Sequence, residues 1–137
     1  MAISVLVSVG ECLDKLSILE IKAGKIEDDR LKYIKREMDA LVQSIEQACG
    51  REPFKGDLYD QLVEVNSELW DLEDEHREEI AQANGAITPA GQSQHVNRCF
   101  YIGELICRTN DRRAQIKNQI NLKFDKELRE VKQLPSY

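Results

Sequence analysis

The 137-residue chain is predicted to be all-α, an antiparallel bundle of four main helices preceded by a short extended N-terminal arm. Apolar residues recur at helical spacing along four stretches, and these are separated by short segments carrying Gly, Pro or paired Asp. Alternation with a period of two is confined to the first residues. A composition of 42% hydrophobic and 32% charged residues is that of a soluble, helix-rich globule. The length supports one domain over 1–137, because either half alone would be too small for a good core.

In the arm, Ile3, Val5 and Val7 alternate with other residues, which predicts an extended segment in need of a partner. Ser8 and Glu11 then form a Ser-x-x-Glu capping box, and Val9, Leu13, Leu16, Leu19, Ala23 and Ile26 give the stripe of a first helix over 9–26. Asp28 and Asp29 interrupt that stripe and can cap the next helix. Over 30–49 the pattern is sharpest: Leu31, Ile34, Met38, Leu41, Ile45 and Ala48 follow 3-4-3-4-3 spacing, the seam of a coiled coil. Gly50 and Pro53 end it. A third helix over 58–83 carries Leu58, Leu62, Val65, Leu69, Leu72, His76 and Ala83, with Ile80 beside them, and closes at Asn84-Gly85. The last helical region starts at Thr88-Pro89 or near Ser93 and runs to about Lys123, with Val96, Cys99, Phe100, Ile106, Ile116 and Ile120 as its apolar positions. Phe124, Leu128, Val131 and Leu134 either extend it or form a separate terminal helix.

Composition excludes several classes of function. The net charge of -6 argues against binding along a nucleic-acid backbone, and no apolar run approaches the length of a membrane span. Resolved along the chain, residues 58–84 hold nine acids and one base, whereas residues 108–132 hold eight bases and four acids. Opposite charge can therefore guide the pairing of these helices, within or between chains. Cys12, Cys49, Cys99 and Cys107 lack Cys-x-x-Cys spacing, so they are expected as buried thiols, and no signal peptide is expected ahead of the arm. A cytoplasmic protein is the expectation.

Three stripes of polar residues exceed what a bundle needs. The first helix carries Glu11, Lys15 and Lys22, with Asp14 one position away; the third carries Asn66, Trp70, Glu73 and Arg77; the last carries Asn110, Arg113, Lys117 and Asn121. As solvated faces and intra-bundle salt bridges they need no ligand. If they converge, Lys15, Lys22, Arg113 and Lys117 would supply positive charge, Glu73 would orient them, and Asn110 and Asn121 would hydrogen-bond an anionic or sugar-like small molecule, with Trp70 at the rim. On that reading Arg113→Ala loses ligand and keeps helix content.

The blocks Ser8–Lys22, Leu69–Asp74 and Thr109–Asn121 resemble an uncharacterised family of bacterial domains of unknown function. Its pattern reads S-V-G-E-L-L-D-K with I-L-x-I-K, then L-W-x-x-E-D, then T-N-D-R-R-x-x-I-K-x-x-I-N. Cys12 stands here where that pattern has an aliphatic residue, a packing change only. The resemblance implies that Glu11, Asp14, Lys15, Lys22, Trp70, Glu73, Asp74, Asn110, Asp111, Arg112, Arg113, Lys117 and Asn121 belong to one shared polar site. Members are met near glycosyltransferase and surface-polysaccharide genes, which implies an accessory role there.

Two classes of function follow. The first is a binding or accessory module, expected to be a homodimer because the 31–48 seam and the unpaired arm both call for partner surface. The second is an enzyme similar to all-α, Mg-dependent nucleotide pyrophosphohydrolases. Glu68 and Asp71 give one Glu-x-x-Asp and Glu11 with Asp14 another, but the first lacks a Glu-x-x-Glu partner on a preceding helix.

Overall fold

Ser8 starts the first helix in the computed structural model, which describes residues 1–124. Its hydroxyl accepts from the Glu11 amide at 3.2 Å. This is half of a capping box, because the Glu11 carboxylate turns instead to Lys117. The helices that follow are α1 (Val9–Lys25), α2 (Arg30–Cys49), α3 (Asp57–Gly85) and α4 (Pro89–Phe124), with a single 3-10 turn at Glu52–Phe54 between α2 and α3. Asp28 rather than Asp29 supplies the side-chain cap of α2, accepting from the Arg30 amide at 2.9 Å. Gly50 and Gly56 bracket the 3-10 turn with φ of 70° and 87°, a region that glycine enters without strain. The all-α, four-helix expectation is met. The expected terminal stretch at Leu128, Val131 and Leu134 lies outside the described residues.

Directions alternate along the chain. Gly10, Glu11 and Asp14 of α1 face Asn121, Lys117 and Arg113 of α4 in turn, so these two helices are antiparallel. Glu68 and Glu79 of α3 pair with Arg112 and Arg98 of α4, again antiparallel. The acidic third helix and the basic last one do attract each other within the chain. At the closed end of the hairpin, near its tip, however, the partners are Arg98 and His95, which precede the basic segment. α1 therefore lies against both members of a long α3–α4 hairpin. α2 lies outside α1, joined to it by Lys15 and Glu37 at 2.7 Å.

The core forms where α1 meets the hairpin: Val9, Leu13, Leu16, Leu62, Val65 and Ile120 are buried together with Ile45 from α2. Two apolar stretches lie at its edge or outside it. The sharp α2 seam is peripheral, since only Ile45 of it is buried and Leu31, Ile34, Met38 and Leu41 are half-exposed. A helix packed against one neighbour shows a clean 3-4 stripe just as a coiled-coil partner would. The arm forms no strand, and Ile3, Val5 and Leu6 are all exposed, so alternation there does not separate a buried face.

One glycine is set by close approach rather than by φ. A Cβ on Gly10 would lie 2.5 Å from the Lys117 carbonyl oxygen and 2.7 Å from Asn121 Oδ1. Gly10→Ala is expected to push α1 off α4 and to cost about 1–3 kcal/mol, measured by urea denaturation.

Candidate functional site

Asp14 lies at the contact of three helices with a side chain that is 2% exposed. Two turns of leucine on α1 drive that face into the hairpin, and the carboxylate goes with them. It is fully engaged: Arg113 of α4 donates from Nε at 2.8 Å and from Nη2, and Asn66 of α3 donates from Nδ2 at 2.9 Å. The same Asn66 amide reaches Ser17 Oγ at 2.7 Å, and the Ser17 hydroxyl donates to the Asp14 carbonyl at 2.6 Å. A bidentate guanidinium is the pairing best able to satisfy a buried carboxylate. One turn further along, the buried Lys117 ammonium meets Glu11 at 2.7 Å, and the Gly10 amide donates to Asn121 Oδ1 at 2.7 Å.

The structure thus brings together Glu11, Asp14, Asn66, Arg113, Lys117 and Asn121, with Asn110 Oδ1 at 3.5 Å from Arg113 Nη1. It does not bring in Lys15, Lys22, Trp70, Glu73, Asp74 or Arg77. Lys15 points to Glu37 of α2, and Lys22 is half-buried in the last turn of α1. Trp70 is half-buried under Lys25, whose Nζ is 5.3 Å from the ring centroid. Glu73 and Arg77 are exposed and face each other at 3.7 Å, with Asp74 also on Arg77 at 2.8 Å. Glu73 accordingly orients none of the cluster cations. The residues that spacing missed are Ser17 and Gly10, although Ser17 lies three positions from Asp14 on the same helix face and was legible as its neighbour.

The metal alternative finds no donor set. Glu68 is paired with Arg112 at 2.7 Å, Asp71 is exposed, and Asp14 is committed to Arg113. Among the described residues no three His, Cys, Asp or Glu side chains gather where they could hold a metal ion.

Among the described residues two buried side-chain atoms find no partner, Asn118 Oδ1 and Asn121 Nδ2, three positions apart on α4. A cavity of about 180 Å³ is lined by the arm, α1 and α2, among them Leu6, Cys12 and Ile45, and an open one of about 390 Å³ lies by Gln82 and His95 at the hairpin tip.

Further groups are perturbed by their surroundings. Burial, then the neighbouring Glu11, pushes the Cys12 thiol up. Burial likewise raises the Tyr59 hydroxyl, helped by its 2.6 Å bond to Glu20. The hydrogen bond from His95 at 2.6 Å, with Arg98 adding to it, holds Glu79 below the usual carboxylate range.

Comparison of the chain with family models, curated proteins and solved structures returned no match.

Removing Arg113 strands a buried carboxylate. Arg113→Ala is expected to lose about 3–5 kcal/mol in chemical denaturation, whereas Asp14→Leu combined with Arg113→Met loses less than the single change. At the other end of the hairpin, the depressed Glu79 contributes stability that is present above an unfolded value of about 4.3 and is lost as pH falls through its lowered folded value. Hydrogen exchange should show the α3–α4 tip losing protection below that pH, and Glu79→Gln should flatten the dependence.

Proposed function

We propose that this chain is a non-catalytic helical binding or accessory module that assembles as a homodimer. One observation carries this reading: Arg113 and Lys117, two of the four cations predicted to hold a ligand, are turned onto carboxylates of α1, while large apolar side chains of α4 remain outside. Arg113 faces the buried Asp14 and Lys117 faces the exposed Glu11, so an anion entering the cluster would have to displace a carboxylate already paired there. Val96 and Phe100, expected in the apolar stripe of α4, are 52% and 78% exposed. Exposed apolar side chains that follow a helical stripe mark surface meant for another protein more often than surface meant for water. On this reading the polar cluster fixes how α1 lies on the hairpin, the role best attested for buried charge in helical assemblies.

The setting fits a cytoplasmic protein. No disulfide joins the four cysteines, as a reducing compartment would leave them, and no described helix is long and apolar enough to cross a membrane. A second reading, a small anionic or sugar-like ligand, is favoured only by the unsatisfied Asn118 Oδ1 and Asn121 Nδ2, where a hydroxyl group could both donate and accept.

Light scattering at micromolar concentration is expected to report twice the 15.7 kDa chain mass. Nucleoside triphosphates with Mg²⁺ should show no pyrophosphate release, and Glu68→Ala should change nothing. A mass of one chain counts against the homodimer; turnover abolished by Glu68→Ala would restore the enzyme reading.

A further inference from the structure

The α3 and α4 stripes that α1 covers run on past the end of α1. On α4 the stripe Asn110, Ala114, Lys117 and Asn121 lies beneath α1 or beside it, and Val96, Phe100, Gly103 and Cys107 continue it toward the tip with the same 4-3-4 spacing. On α3 the stripe Leu62, Asn66 and Leu69 leads on to Glu73, His76 and Ile80. α1 ends at Lys25, beside Trp70, whereas α3 continues from there to Gly85, about 22 Å of further helix. The covered halves of both stripes are buried. The uncovered halves are not: Ile80, Val96 and Phe100 are exposed, and no described element lies over them.

Resting on the homodimer reading above, we propose that this distal groove is the dimer interface, two hairpins stacking face to face and antiparallel about a two-fold axis. Each groove is shaped to receive helices, as α1 shows in the adjoining half, and a second hairpin supplies two that carry the same apolar stripe. The product is a four-helix arrangement of the kind that satisfies paired helical hairpins. The floor allows close approach. Gly103 presents no side chain there, and a Cβ at that position would meet only His76 Nε2, at 3.8 Å.

Charge selects both the occupant and its direction. Leading away from the end of α1, this lip of the groove carries Lys25 over Trp70, then Glu73 with Asp74 beside it, then Arg77, which pairs with both acids in its own chain, so its sign alternates. Antiparallel stacking sets Glu73 of one copy against Arg77 of the other, twice by symmetry, and parallel stacking sets like against like. A lip complementary to its own reverse is what an isologous contact requires.

The test uses the full chain and measures dimer dissociation by analytical ultracentrifugation, with circular dichroism to check folding. Phe100→Glu places two carboxylates in the apolar floor and should weaken the dimer at least 100-fold, and Val96→Glu should act in the same direction. Tyr101→Glu, one position on and similarly exposed at 57% but on another face of α4, should leave the dimer intact. Arg77→Glu should weaken it about tenfold, and adding Glu73→Arg in the same chain should restore it, since the lip is then self-complementary again. A wild-type monomer overturns the homodimer reading and this interface with it. A wild-type dimer that survives both Phe100→Glu and Val96→Glu leaves the homodimer standing and overturns the interface. Restoration failing in the double charge swap overturns the antiparallel arrangement.

Discussion

Burying the Asp14 carboxylate is the constraint around which the helices are arranged. At an effective dielectric near 20, opposite charges about 4 Å apart attract by roughly 4 kcal/mol, and desolvating each ion costs several kcal/mol. The Asp14–Arg113 pair therefore adds little net stability. Its effect is selective. Any other register of α1 on α4 leaves a carboxylate buried without its guanidinium, and Asn66 extends the same demand to α3. Leu13, Leu16, Leu62 and Val65 supply the hydrophobic drive but would tolerate a slip by one turn, since leucine follows leucine at helical spacing. Asp14 does not tolerate it.

The same fixed register sets where α1 stops. With Gly10 pressed against the α4 backbone and Asp14 on Arg113, the 17 residues of α1 cover only the inner part of a hairpin whose second helix has 36. Inside that limit the chain is a three-helix core with α2 along its flank. Outside it, two helices are held to each other by the buried Ile102 and Ala83 and by Glu75, Glu79, His95 and Arg98, a charged pairing that salt screens. The polar cluster and the exposed distal stripe are consequences of one placement: the first anchors α1, and the second is what α1 leaves uncovered.

Much of this was legible in residue order. Ser8 as a cap, the break at Asp28, the stop at Gly50 and the start of α3 after the Pro53 turn all follow from local chemistry that needs no tertiary partner. Convergence was less legible. Spacing placed Arg113, Lys117 and Asn121 on one polar stripe of α4 and Asp14 one position off that of α1, and in the structure they meet. It placed Lys15, Glu73 and Arg77 just as near the seam, yet these point to Glu37 or to each other. One residue of helical rotation separates a buried charge from a solvated one, and stripe spacing defines a face only to about that width. Ser17 entered the cluster because Asp14 and Asn66 were there to receive it, not because a lone serine signals burial.

By itself the sequence determined the elements: four helices, their caps and breaks, an acidic third helix and a chain whose polar residues exceed what solvation needs. These depend on interactions within a few residues, where periodicity and capping act. Only the tertiary structure decided which apolar stripes are buried. The clearest one, on α2, lies at the edge, and Val96 and Phe100, part of an equally regular stripe, lie in the open. Periodicity shows that a face is apolar; whether it is covered depends on how far a neighbouring helix reaches, and here that reach is set by a single ion pair more than ninety residues apart in the chain.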